Sequence, residues 1–156
     1  MEKNIEKSID VLNDLIQINN DRIEGYKKAI EDTKAEGSEY DALFHQMMQE
    51  SANYKQELTN EARRIGGKVD WDATTNSGKI YRMWMDIKST FTGKSGKSAL
   101  ELCEFGEDAA QKAYKEALSA DYLPIDTRQL ILTQKEKLRE SHDVIKRTRD
   151  MQKVHS

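Results

Sequence analysis

GKVDWDATTNSGKIYRMWMDIKSTFTGKSGK, residues 67–97, is the stretch whose reading decides the fold. Asp, Thr, Asn, Ser and Gly crowd together from Asp70 to Gly78, which is a loop composition. A short amphipathic run then carries Ile80, Met83, Trp84, Ile87 and Phe91, so the segment reads as a connection with a small helix of its own. Long helical patterns lie on either side of it, two before and two after, and each pair is closed by a short turn. Two helical hairpins joined through roughly 30 residues cannot form a simple up-down-up-down arrangement, because its connections are short.

Upstream, Ile5, Ile9, Leu12, Ile16, Ile23, Tyr26 and Ile30 recur at alternating steps of three and four, with Asn19 as one polar interruption. This predicts one long helix ending near Glu36 and Gly37, with Ser38 as the N-cap of the next. The second pattern places Tyr40, Leu43, Phe44, Met47, Ser51, Tyr54, Leu58 and Ala62 on one stripe and stops at Gly66 and Gly67. Downstream, Ser98 and Glu101 form a capping-box signature, and Leu100, Cys103, Glu107, Ala110, Tyr114 and Ala117 make the inward line of a third helix. Pro124 and the pair Asp126 and Gln129 open a fourth, with Leu130, Ile131, Leu138, Val144 and Ile145 inward and Gln134, Ser141 and His142 on or beside that stripe.

Composition agrees with long solvated helices: 34% of the 156 residues are charged, and the chain has one Pro and eight Gly, against about 25% charged residues in ordinary domains. A chain of this size buries roughly 70% of its unfolded surface within a single core, so one domain spanning 1–156 is expected. The formal net charge of −3 is of the wrong sign for broad phosphate neutralisation and disfavours a general nucleic-acid binder. The lone cysteine, Cys103, cannot form an intramolecular disulfide, and MEKNIEKSIDVLNDLI lacks the continuous apolar core of a signal peptide. The expected compartment is therefore the cytoplasm. No run approaches the length of a transmembrane helix, so no membrane role is expected.

The paired hairpins with a long connection match the ferritin-like plan, in which one crossover links the second helix to the third. VLNDLIQINNDRIEGYKKAI (11–30), the Leu-Phe pair at 43–44 with a Ser and a Tyr downstream, and CEFGEDAAQKAYKEAL (103–118) resemble a bacterial ferritin-like family of four-helix-bundle proteins of unknown function. GKIYRMWMDIKSTFTG (78–93) is similar to that family's crossover, in which a basic residue and a Trp precede a short helix. The resemblance runs through all four helices and implies an all-α bundle, but no reaction. Its wider superfamily, with ferritins and rubrerythrins, often binds two iron atoms between the helices.

A di-iron carboxylate site in such a bundle draws one Glu from each of two helices and a Glu-x-x-His pair from each of the other two. No Glu-x-x-His occurs: Ala42, Arg139 and Gln152 stand three residues before His45, His142 and His155. A partial ligand set remains. Counting from the first turn brings Glu24 and Glu50 to one level, and counting from the turn at 122–126 brings Glu104 near His142, with Glu107 one turn along. These five would hold iron or manganese. Alternatively Glu24 and Glu50 point to solvent, and Glu107 is hydrogen-bonded to Gln134, Ser141 or a tyrosine.

Asn19, Ser51, Gln134 and Ser141 are neutral polar groups on otherwise apolar stripes, and read as a second shell for metal ligands or as a register-fixing polar layer. Tyr26, Tyr54 and Tyr114 read as core aromatics with satisfied hydroxyls. The two Gly-Lys-Ser copies at 93–98 are not phosphate loops, because Lys88 and Phe91 stand where the leading Gly is required and no strand precedes them. The crossover carries Lys68, Lys79, Arg82, Lys88, Lys94 and Lys97 against Asp70, Asp72 and Asp86, a solvated charge balance with an acidic partner as the alternative. Ile80, Trp84 and Ile87 are expected to cover the bundle, or otherwise to offer a dimer or partner contact. Cys103 is expected to be a small buried thiol without redox duty. Two functions emerge: a non-enzymatic structural, interaction or stress-associated homodimer with a metal-free polar core, and a metal-binding bundle using Glu24, Glu50, Glu104, Glu107 and His142.

Overall fold

The computed structural model describes residues 2–34, 38–67, 80, 82–86 and 99–155. Among these residues the chain is all-α, without a strand. Four long helices run α1 (Glu2–Asp32), α2 (Ser38–Arg64), α3 (Ala99–Leu118) and α4 (Ile125–His155), and residues 80 and 82–86 are also helical. α1 packs against α2 and α3, α3 packs against α4, and the contact between α2 and α4 is the sparsest. None of the helices is long and apolar enough to cross a membrane.

The helix ends follow from local chemistry. α2 closes in a Schellman motif: Gly67 N–H donates to the Ala62 carbonyl (2.7 Å) and Gly66 N–H to that of Arg63 (3.1 Å), with Gly66 at φ +101°. Gly67 also permits a close approach, since a Cβ there would lie 2.8 Å from Ile9 Cγ1. Pro124 is the N-cap of α4, its carbonyl accepting from Arg128 N–H at 2.9 Å. Asp126 therefore sits inside the first turn, where its charge faces the positive helix end. α1 ends at Asp32, earlier than the sequence suggests, and Thr33 and Lys34 form a turn. The expected turn at Glu36 and Gly37, Ser98 of the capping box, Ile87, Phe91, the Gly-Lys-Ser copies and the crossover's charged residues other than Arg82 and Asp86 lie outside the described residues.

Two apolar clusters fill the interior. One gathers Leu12, Leu15, Ile16, Leu58, Tyr114 and Leu138; the other gathers Tyr26, Phe44, Met47, Leu100, Cys103 and Ile145. On each helix the residues between the two clusters include polar ones: Asn19 and Arg22 on α1, Ser51 on α2, Glu107 on α3 and Ser141 on α4, all buried. α1 is buried well beyond a single stripe, with Val11, Asp14, Gln17 and Ile18 also covered. Ile80 and Trp84 account for part of this, as both are buried in the first cluster and Trp84 Nε1 donates to Asp21 Oδ2 at 2.8 Å. Covering the helices with these two residues is what their spacing predicts.

Candidate functional site

Arg22 follows Asn19 by three residues and precedes Tyr26 by four, so it shares their helix face and enters the core. Its Nε donates to Glu107 Oε1 at 2.8 Å, and Nη2 lies 2.7 Å from the same oxygen. Nη1 donates to Ser51 Oγ (2.8 Å) and to the Met47 carbonyl (3.0 Å), while Glu50 Oε1 stands 3.5 Å from Nη2. Ser141 Oγ donates to Glu50 Oε1 at 2.6 Å, and the Tyr26 hydroxyl donates to Glu107 Oε1. One guanidinium on α1 is thus tied, directly or through one carboxylate, to all three other helices.

Burial works against the charge of Arg22, but Glu107, Tyr26 and Glu50 together more than offset it, so the guanidinium holds its proton more firmly than usual. Burial first and Glu107 second raise the Tyr26 hydroxyl well above its ordinary value, and the same two causes push the Cys103 thiol up to about 12. Cys103 is therefore a protonated, unreactive thiol. Glu107 Oε2 is the one buried side-chain oxygen or nitrogen without a hydrogen-bond partner among the described residues.

A second polar layer lies one helical turn away. Asn19 Nδ2 donates to the Leu15 carbonyl and to the Tyr114 hydroxyl, both at 2.9 Å. Tyr114 donates to Gln134 Oε1 at 2.8 Å, and Gln134 Nε2 donates to the Tyr54 carbonyl (3.2 Å) and Glu57 Oε1 (3.0 Å). This layer again draws on all four helices. The four neutral residues singled out from the sequence therefore belong to two networks, Asn19 and Gln134 to this one, Ser51 and Ser141 to that of Arg22.

The five candidate metal ligands are dispersed. Glu24 is exposed beside Lys27 at 3.4 Å. Glu50 faces Ser141 and Arg22, and Glu107 faces Arg22 and Tyr26. Glu104 pairs with Arg149. His142 Nε2 lies 2.6 Å from Asp108 Oδ1 and its Nδ1 lies 3.1 Å from Asp143 Oδ1. Of the five, Glu104 and His142 come together, and Asp108 joins them, with one ligand atom from each within 4.8 Å of the others. Burial opposes the charge of His142, but the Asp143 and Asp108 carboxylates prevail and raise its pKa. Asp108 escaped the sequence reading although it follows Glu104 by four residues on α3, a spacing that puts both on one face. Arg22 carries no local signal, since the apolar stripe continues through its neighbour Ile23 and a charged residue beside such a stripe ordinarily faces solvent.

At the centre, the donor set does not fit a dinuclear metal site. Glu107 already receives a cation from the chain itself, no imidazole among the described side chains reaches it, and a metal ion at its Oε1 would stand beside a guanidinium of like charge. These features define a class: an all-α protein whose inward carboxylates are neutralised by its own arginine. The family described as a domain of unknown function (DUF2383) matches residues 7–120, well over half of the chain, and the chain belongs to that family. The match includes Arg22, Glu50, Glu107 and the Asn19–Tyr114 pair; Gln134, Ser141 and His142 on α4 lie beyond it. No curated protein matches the sequence.

Proposed function

We propose that the chain is a ferritin-like four-helix bundle, with 67–97 as the long crossover between its second and third helices, and that it serves as a non-enzymatic structural or interaction protein. The observation that carries this reading is Arg22, which fills with a fixed charge the position between inward carboxylates where its superfamily so often places metal. The order of helix contacts, α2 to α1 to α3 to α4, supports the bundle, and the buried, protonated Cys103 suits a cytoplasmic setting. The open seam between α2 and α4, a groove of about 720 Å³ lined in part by Gln46, Asn53, Glu57 and Lys137, is the face we assign to a homodimer contact. Elemental analysis of protein purified without chelators, followed by anaerobic ferrous titration and sedimentation equilibrium, tests the reading. The expected outcome is a dimer with no metal bound through Glu107. Stoichiometric ferrous binding that Glu107→Gln abolishes would overturn it.

A second reading has a separate support, the Glu104, Asp108 and His142 cluster between α3 and α4. Two carboxylates and an imidazole suit iron or manganese, and Asp143 on the other ring nitrogen would orient the imidazole. Binding here would displace Arg149 from Glu104. The same titration separates the two readings, because this site would be lost in Asp108→Asn and His142→Ala and kept in Glu107→Gln.

A further inference from the structure

Over about four turns of α2, from Ala42 to Gln56, no exposed residue is Asp, Glu, Lys or Arg. Other helices present the opposite surface. Every exposed residue of α3, namely Asp108, Lys112 and Lys115, is charged, and so is every exposed residue of α4 from Glu136 to Asp150. In a chain with 34% charged residues, solvation alone does not empty one helix face of charge. Depletion of charge is what marks the centre of a protein–protein contact against the surface around it.

Amides stand where the charges would be. Gln46, Gln49, Asn53, Gln56 and Asn60 are all exposed and follow one another at alternating steps of three and four, so they form one stripe. Gln49 Nε2 donates to Asn53 Oδ1 at 3.1 Å, and Gln56 Nε2 to Asn60 Oδ1 at 2.9 Å. These bonds order the side chains along the helix and lessen the entropy lost when they meet a partner. The stripe is also close to palindromic about Asn53, with Gln49 and Gln56 four and three residues away and Gln46 and Asn60 both seven. Its flank is continuous with the open seam, since Gln46, Asn53 and Gln56 line the groove between α2 and α4. The carboxylates at its edge, Glu50 and Glu57, accept from Ser141 and Gln134.

This chemistry selects the occupant. A charged partner would find no fixed countercharge on the stripe, and an apolar one would bury carboxamides without partners, which is costly. A carboxamide both donates and accepts, so a second copy of the same stripe, run antiparallel, can answer it. We infer that α2 packs on the α2 of a second copy about a two-fold axis at Asn53, with Gln49 facing the partner's Gln56 and Gln46 facing the partner's Asn60. The inference gives a helix and a register to the homodimer contact proposed above and rests on that reading.

Position 53 provides the test, because a residue on the axis meets its own copy. Asn53→Lys and Asn53→Glu are each expected to melt at or above the wild-type temperature, as the site is exposed and both residues favour a helix more than Asn does. In sedimentation equilibrium each variant alone is expected to dimerise at least about tenfold more weakly than the wild type, because like charges then face each other across the axis. An equimolar mixture of the two variants is expected to recover the dimer by pairing the opposite charges. Wild-type protein that stays monomeric at about 0.1 mM would overturn both this register and the homodimer contact it rests on. A wild-type dimer that both variants leave intact, or a mixture that associates no more tightly than its components, would overturn the α2 register alone.

Discussion

Replacing Arg22 with methionine keeps much of the side chain's length and apolar stem while removing its charge. In the native protein the Arg22 side chain is 4% exposed and that of Glu107 1%, with Glu50 at 25%. Glu107 would be left with Tyr26 as its one partner, and Ser51 and the Met47 carbonyl would lose theirs. Removing one member of a buried ion pair typically costs about 3–5 kcal/mol, most of it the penalty on the stranded charge. With a urea m-value of about 2 kcal/mol/M for a domain of this size, the midpoint should fall by roughly 1.5–2.5 M. Urea melts followed by circular dichroism give the number directly. Glu107→Leu alone should cost a similar amount, because Arg22 cannot shed its proton. The double variant Arg22→Met, Glu107→Leu should recover about 2 kcal/mol or more relative to the sum of the singles, since an apolar pair leaves no buried charge. If Arg22→Met shifted the midpoint by less than about 0.5 M, or if the two single effects simply added, the ion cluster would not be what fixes the core.

Gln134→Leu should cost about 1–3 kcal/mol, because it takes the acceptor from the buried Tyr114 O–H and the donor from Glu57; a loss within error of zero in the same melts would show that water replaces the amide. Gly67→Ala should destabilise measurably because its Cβ would come within 2.9 Å of three Ile9 carbons, two of them on the stiff branched Cβ. Adding Ile9→Ala to Gly67→Ala should then cost less than Ile9→Ala does in the wild-type background, and strict additivity would refute the contact. The raised pKa of His142 gives its interactions with Asp108 and Asp143 a definite pH dependence. Their contribution is fully present below the unfolded value of about 6.5 and is lost as pH rises through the higher folded value. The wild-type advantage over His142→Gln should therefore shrink between about pH 6 and pH 8, and a constant or growing advantage would contradict the geometry. Glu61 has the opposite sign: bonded to Arg64 and then Thr127, its pKa is lowered, so its contribution is lost as acid is added.

The helices were legible because their determinants are local. The three-and-four spacing of Leu12, Ile16, Leu58, Ile131 and Leu138, the glycine pair at 66–67 and the lone Pro124 each act within a turn or two of chain. All six residues read as the inward line of α3, Glu107 and Cys103 among them, are buried, and Ala109 and Ala113 widen that face beyond the stripe. What was not legible is the pairing across helices. Counting residues from a turn gives the height of a side chain along its helix but not its azimuth, which drifts by about 20° per heptad against a 3.5-residue repeat. Glu24 and Glu50 could be matched in height, yet Glu24 turns outward to Lys27 and Glu50 inward to Arg22 and Ser141. Arg22 was hidden for a different reason: its burial is tolerable only because Glu107, 85 positions away, meets it, and nothing local announces that partner.

Why the polar residues lie between two apolar clusters follows from what apolar stripes cannot do. Leu, Ile and Met at helical spacing pack nearly as well after one helix slides by a turn, about 5.4 Å, against its neighbours. The Arg22 and Asn19 layers do not, since each requires partners from several helices at one height. A slip of one turn would separate Arg22 from Glu107 and leave both charges buried, a penalty of about 3–5 kcal/mol set against a small change in apolar contact. The same geometry makes Glu107 asymmetric. Arg22 and Tyr26 both approach Oε1, so the alignment that fixes the helices also leaves Oε2 without a donor among the described residues.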